Sequence, residues 1–250
     1  MSVEIDVDHI HGVEVLHAFP AGGKQRPLPT VFFFHGFTSS KEAYCYFPYT
    51  LARAGFRVIA PDALMHGARF DGDDANRWRY FWDIMLHSVD ELPMYVDACR
   101  ERGWIDGVRI GACGASMGAM TALAAMTRYP WLRAVASFMG AGHFTPLCRT
   151  LFPPVVATTP GAEPILAALA ERVAGCDALL HLERLSDRPL LLWHGLADEV
   201  VPARESECLR QALVERGWAR QLTWLTEDGI GHKITPGALQ ASANFFLKSL

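Results

Sequence analysis

Four loops in this chain carry residue types that could work together on an acyl group. Ser116 sits in Gly114-Ala115-Ser116-Met117-Gly118, between an apolar run (Val108–Cys113) and an Ala/Met-rich stretch (Ala119–Tyr129). A strand that turns into a helix within about four residues forces its central residue into a sparsely populated backbone conformation. Gly114 and Gly118 let such a turn close without a side chain striking the neighbouring element. The hydroxyl then stands at the end of a sheet, above a helix N-terminus whose free N–H groups favour developing negative charge. The other three loops hold His35-Gly36-Phe37, Asp198 and His232, each directly after an apolar run. Acyl transfer needs a nucleophile, a base, a carboxylate that fixes the base's tautomer, and donors for the oxyanion.

The elements that must position these loops are legible from periodicity. Residues 3–7 and 13–19 alternate apolar and polar, as in half-exposed edge strands. The unbroken apolar run Val31–Phe34 suits a strand covered on both faces, and Phe56–Ala60, Val108–Cys113, Ala134–Met139, Pro189–Trp193 and Gln221–Leu225 read as further strands. Between them lie helical patterns. One runs from about 40 to 54, with Ser39 and Glu42 at capping-box spacing and Gly55 as its stop. Others cover Trp78–Arg102, with Pro93 expected to kink or interrupt it, Ala119–Tyr129, a segment ending at Arg216, and one opened by Thr235-Pro236. Strands alternating with helices imply an α/β fold: a mostly parallel central sheet flanked by helices, with right-handed crossovers. Functional loops of such a sheet lie at the carboxyl ends of its strands. Residues 140–187 are rich in Pro and Gly and read clearly as helix only over Ile165–Ala174, so we expect them to form a cap or lid insertion in a single domain spanning 1–250.

Composition narrows the function classes. Half of the 250 residues are hydrophobic, a fifth are charged and the net charge is -4, with no basic cluster, which speaks against nucleic-acid or anionic-membrane partners. The six cysteines are scattered without CxxC spacing, so we expect reduced thiols in a cytoplasmic protein and no metal site or cofactor. Cys113, inside its strand, should be an inert buried thiol. No secretory leader is visible in the acidic N-terminal residues, and the uncharged segment 110–127 is split by the Ser116 turn, which argues against a membrane span. Either a monomer or a homodimer fits.

The chain resembles the α/β-hydrolases, marked by the order Ser…Asp…His, and more narrowly the YjfP-type bacterial carboxylesterases. The matching segments are His17–Pro20, His35–Ser40, Gly114–Leu123, Thr150–Pro154, Ser186–Leu196 and His232–Pro236. One departure is Ala197, in a loop where relatives often carry further acidic residues; Asp198 keeps its spacing from His194-Gly195 and Val201-Pro202. The resemblance implies an α/β-hydrolase fold with a cap and a serine carboxylesterase acting on small, short-chain acyl esters. Ser116 would be the nucleophile, His232 the base and Asp198 its orienting acid, with Glu199 as the rival acid. The backbone N–H groups of Phe37 and Met117 would form the oxyanion hole. Phe37, Phe144, Leu147 and Phe152 would give the substrate pocket apolar walls. His35, His194 and Asp62 are expected to brace loops, and His9, His11, His17 and His181 to lie on the surface. His66 and His143 are candidates for the pocket lining. A thioesterase, a sugar-ester deacetylase or a small peptidase would use the same triad, and a non-catalytic binding protein on this scaffold is the reading from another class.

Overall fold

The computed structural model describes all 250 residues, Met1–Leu250. β1 (Val3–Ile10) and β2 (Val13–Pro20) form a hairpin whose two-residue loop, His11-Gly12, has positive φ at both positions (49° and 81°). That backbone twist matches the twist of the flanking strands. β3 (Leu28–Phe34) follows, then α1 (Tyr46–Arg53), β4 (Arg57–Pro61), α2 (Asp74–Arg79), α3 (Phe81–Glu101), β5 (Ile105–Ala115) and α4 (Met117–Arg128). The second half contributes β6 (Ala134–Phe138), α5 (Phe144–Leu147), α6 (Ala162–Ala174), β7 (Leu190–Gly195), α7 (Arg204–Glu215), β8 (Leu222–Glu227) and α8 (Pro236–Ser249).

The strands make one eight-stranded sheet in the order β1-β2-β4-β3-β5-β6-β7-β8. β1 and β2 are antiparallel, and β2 runs antiparallel to β4; every pair from β4 to β8 is parallel. Alternation along a strand decides which core each side chain joins. Phe32 and Phe34 enter the larger apolar core with α3 and α4, while Val31 and Phe33 enter the smaller one with α1 and α8. No helix is long and apolar enough to cross a membrane.

Several local expectations need correction. The helix expected from about residue 40 begins at Tyr46, because the Lys41 N–H donates to Asp62 Oδ1 (2.8 Å) and its ammonium to Oδ2 (2.7 Å). The stretch before α1 is thus held as a loop, and the Ser39–Glu42 capping box does not form. The long pattern at 78–102 is two helices, α2 and α3, separated at Tyr80. Pro93 does not interrupt α3. A proline removes one backbone donor and frees the carbonyl four residues earlier; here that carbonyl, on Val89, accepts the Tyr129 hydroxyl at 3.0 Å. β5 starts earlier than expected, and its register against β3 jumps from Leu28↔Ile105 to Thr30↔Ile110, a bulge that carries the exposed residues Gly107–Arg109. His17 is not a surface group. It is fully buried, with Nδ1 2.7 Å from Asp8 Oδ2 and Nε2 accepting from Arg57 Nε.

Residues 140–187 form the excursion between β6 and β7. Asp177, fully buried, accepts the N–H and hydroxyl of Thr145 (2.8 Å each) and the N–H of Leu179 (3.0 Å), which folds the segment on itself. The Trp82 indole donates to the Leu151 carbonyl (2.9 Å) and Arg172 pairs with Asp83 (2.6 Å), fastening it to α3.

Candidate active site

β5 ends in the turn that carries Ser116. This residue has φ 57° and ψ -120°, a conformation that L side chains rarely adopt, and it is held there by its N–H donating to the Phe138 carbonyl at 2.9 Å. The turn closes only with glycine on either side. A Cβ at Gly114 would stand 2.1 Å from the Gly118 carbonyl oxygen, and one at Gly118 would stand 2.0 Å from that of Phe34. The second approach is also what brings the start of α4 against the loop after β3. Met117 opens α4, so its N–H has no partner within the helix. The Phe37 N–H has no backbone acceptor either.

Asp198 and His232 follow the neighbouring parallel strands β7 and β8. The loops after β7 and β8 are laced together by Leu196 N–H donating to the Glu227 carbonyl and Ala197 N–H to that of Ile230, each at 2.9 Å. Gly195 allows this contact, since a Cβ there would lie 2.4 Å from the Ile230 carbonyl oxygen. The structure thereby brings His232 Nε2 to 2.9 Å from Ser116 Oγ and His232 Nδ1 to 2.7 Å from Asp198 Oδ2. Asp198 Oδ1 accepts the N–H groups of Val200 (2.9 Å) and Val201 (3.0 Å). Burial alone would raise this carboxyl, but hydrogen bonds from His194, His232 and the backbone more than offset it and hold Asp198 well below the usual carboxylate range. Glu199, the rival acid, is exposed, and the partner of His232 Nδ1 is Asp198.

The loop after β3 is fixed from below. Asp62, fully buried, accepts the Lys41 and Ala68 N–H groups as well as the Lys41 ammonium, which also meets Glu14 (2.6 Å) and Glu42 (2.7 Å). Burial works against the Lys41 charge, yet these three carboxylates carry its pKa above the ordinary lysine range. Two histidines complete the clamp. His35 Nε2 accepts the Ala63 N–H (3.0 Å), and His66 Nε2 accepts the Thr38 N–H (2.9 Å) while its Nδ1–H donates to the Leu64 carbonyl (2.8 Å). Burial pushes His66 down to about 4, consistent with a neutral ring that keeps a lone pair for Thr38. The sequence offered His66 as a candidate for the pocket lining; the structure uses it to hold the Thr38 N–H, with its ring 5.2 Å from that of Phe37.

Of the expected apolar walls, Phe37 and Phe152 meet, with ring centroids 5.5 Å apart. Trp78 and Phe81, which the sequence did not single out, join them, each centred 5.0 Å from Phe37. Phe144 is corrected: it is fully buried against Trp82 (centroids 6.0 Å) and belongs to the core. Leu147, on α5, is half-buried against the same core. Cys113 is fully buried and its thiol is pushed well above the ordinary range by burial. No three His, Cys, Asp or Glu side chains cluster in a way that could hold a metal ion.

Comparison with known proteins agrees with this architecture. Residues 47–248 match the prolyl oligopeptidase family. The chain belongs to that family. It is 49% identical to Esterase YjfP of Escherichia coli (strain K12) over 99% of this chain and 100% of that protein. It is 32% identical to Putative esterase YitV of Bacillus subtilis (strain 168) over 98% of each. The crystal structure of TT1662 from Thermus thermophilus superposes with a TM-score of 0.78 at 25% identity, covering 99% of this chain and 98% of that one. The α/β-hydrolase fold expected from sequence is thus the observed one, and membership of this family makes the chain an enzyme of the serine hydrolase class.

Proposed function

We propose that this protein is a serine carboxylesterase that hydrolyses small, short-chain acyl esters through an acyl-enzyme. The observation that carries the reading is the hydrogen-bonded row Ser116–His232–Asp198, at 2.9 and 2.7 Å, standing on the strained turn after β5. Ser116 Oγ attacks the ester carbonyl carbon as His232 Nε2 takes the hydroxyl proton. Asp198 accepts the Nδ1–H, which keeps Nε2 free to act as base and stabilises the imidazolium that forms. The carbonyl oxygen becomes an oxyanion between the N–H groups of Phe37 and Met117, each such donor being worth about 3 kcal/mol in comparable sites. His232 then hands its proton to the departing alcohol oxygen, leaving acyl-Ser116. Water repeats the sequence: His232 removes its proton, the oxygen attacks the acyl carbon, and the proton returns to Ser116 Oγ as the acid leaves.

The short-acyl preference is supported by the rings of Phe37, Trp78, Phe81 and Phe152, which pack on one another with centroids 4.8 to 5.5 Å apart. Replacing Ser116 with alanine should lower turnover of 4-nitrophenyl acetate by about 10⁴-fold or more, and a fluorophosphonate probe should label the unmodified protein alone. An unchanged rate in the folded variant ends the proposal. The family match favours a second reading, hydrolysis of small peptides. Dipeptide anilides turned over faster than the acetate would select it instead.

A further inference from the structure

We infer that the cleft beside His232 takes the alcohol half of the ester, and that it suits an aromatic or branched apolar alcohol rather than a sugar. This rests on the esterase reading above. The cleft has a volume of about 520 Å³, and its walls include Tyr44, Tyr46, Met139, His232, Ile234 and Leu239. Its size lies within the range of small-molecule sites, roughly 300–1,000 Å³. A second cavity of about 500 Å³ lies under β8 and α8, around Leu222 and Phe245, and touches none of the residues of the catalytic row.

Two features tie the cleft to the chemistry. The first is that His232 is one of its walls. The departing oxygen must lie within hydrogen-bond reach of His232 Nε2 to receive its proton, so the carbon chain behind that oxygen starts at this wall and runs outward. The second is Gly36. A Cβ built there would meet the Tyr44 hydroxyl oxygen at 2.7 Å and the Ser116 Cβ at 3.5 Å, so only a glycine separates the inner end of the cleft from the nucleophile. Bulk cannot go the other way, because the cluster of Phe37, Phe81 and Phe152 closes that side, with Phe81 and Phe152 centred 4.8 Å apart.

The walls define the class of alcohol. The Tyr44 and Tyr46 rings lie 5.5 Å apart at 32°, and Met139, Ile234 and Leu239 supply aliphatic and thioether surface. An aromatic ring gains from offset or edge contacts with such walls. A sugar needs several hydrogen-bond partners at once, and the cleft offers few. Its uncommitted groups are the two tyrosine hydroxyls and the Lys233 ammonium, because the Thr235 hydroxyl is occupied by the Glu227 carboxylate (2.7 Å) and the Ala238 N–H (3.0 Å). No carboxylate or amide side chain lines it.

The experiment compares benzyl acetate, methyl acetate and glucose pentaacetate with the unmodified protein, Leu239→Trp and Tyr46→Ala. All three esters give the same acetyl-Ser116, so differences in kcat/KM report the step in which the alcohol is still bound. Benzyl alcohol and methanol leave with similar ease. We expect the benzyl-to-methyl ratio of kcat/KM to exceed unity in the unmodified protein and to fall by about tenfold in Leu239→Trp, which fills the cleft, and by about threefold in Tyr46→Ala. Melting curves identify any variant that is unfolded, and the second variant then carries the test. An unaltered ratio in both folded variants overturns the inference. So does a change that follows acyl length, from methyl acetate to methyl hexanoate, instead of the alcohol, or a preference for the glucose ester. Absence of hydrolysis of all three esters by the unmodified protein is a distinct result that removes the esterase reading and this one together.

Discussion

Replacing His66 with alanine tests whether the loop after β3 is a built oxyanion device. Thr38 sits at φ 59°, a left-handed conformation that is strained for a β-branched residue, by about 1–3 kcal/mol. The bond from its N–H to His66 Nε2, 2.9 Å long, is what holds it there. Without the imidazole this N–H loses its acceptor, at about 1–3 kcal/mol, and Thr38 is free to relax and carry the Phe37 peptide with it. Complete loss of one oxyanion donor costs about 10²–10³ in kcat. The Lys41–Asp62 and Ala63–His35 bonds still tether the loop, so we expect a smaller fall, about 10–30-fold in kcat, or roughly 1.4–2 kcal/mol. KM for 4-nitrophenyl acetate should move by less than about threefold, because the donors act on the transition state more than on bound ester. Glutamine places its amide oxygen near the position of Nε2, so His66→Gln should recover most of the lost kcat. Initial rates and melting temperatures for both variants decide the matter. A lower melting temperature with unchanged kcat, or equal losses in the two variants, refutes the role.

Asp198→Asn should retain the fold but lower kcat by about 10⁴-fold, because the amide no longer holds the His232 tautomer; rates beside a circular dichroism spectrum check it. Gly118→Ala should destabilise the protein by at least about 3 kcal/mol, since its Cβ would stand 2.0 Å from the fixed Phe34 carbonyl oxygen, and urea unfolding measures this. Acid should weaken the fold through His17 and His66. Burial brings both down to about 4, so the unfolded chain binds protons that the folded one refuses. Their stabilising contribution is complete above the unfolded value near 6.5 and is lost as pH falls toward 4, by up to ~3 kcal/mol per histidine. Urea midpoints across that range should fall with pH, and the fall should shrink in His17→Gln.

The loops of the candidate site were legible because each constraint on them is local. A glycine two residues either side of Ser116, a histidine directly after Gly229-Ile230-Gly231, and an acid a fixed distance beyond His194-Gly195 all leave a mark on the sequence. So did the unbroken apolar run whose Phe32 and Phe33 enter opposite cores. What escaped depends on partners distant in the chain. Lys41 reads as a helix residue until Asp62, twenty-one positions later, claims its N–H and ammonium. Pro93 reads as a helix breaker until Tyr129 supplies a donor to the freed Val89 carbonyl. His17 looks like an exposed strand residue until Arg57 donates to its ring. Phe144 and Phe81 could not be told apart by type, and both are buried in one core; only packing shows that Phe81 meets Phe37 and Phe152 while Phe144 meets Trp82.

The two sides of Ser116 differ in how their geometry is secured. On the acid side, positioning is done by backbone: β7 and β8 are in register from Leu190↔Leu222 to Gly195↔Glu227, and the loops beyond continue that pairing through Leu196 and Ala197. On the oxyanion side the strand partners diverge, and side chains take over, with Asp62, His35 and His66 each accepting a backbone N–H. Backbone pairing is indifferent to most substitutions and to pH, whereas these acceptors depend on residue type and protonation. Mutational sensitivity should therefore concentrate in Pro61–Gly67 more than in Gly195–Ala197, apart from Gly195 itself, where a Cβ would strike the Ile230 carbonyl. On acidification His66 should stop accepting the Thr38 N–H before Asp198 loses its charge, because the Asp198 carboxyl is held well below the pH at which His66 takes a proton.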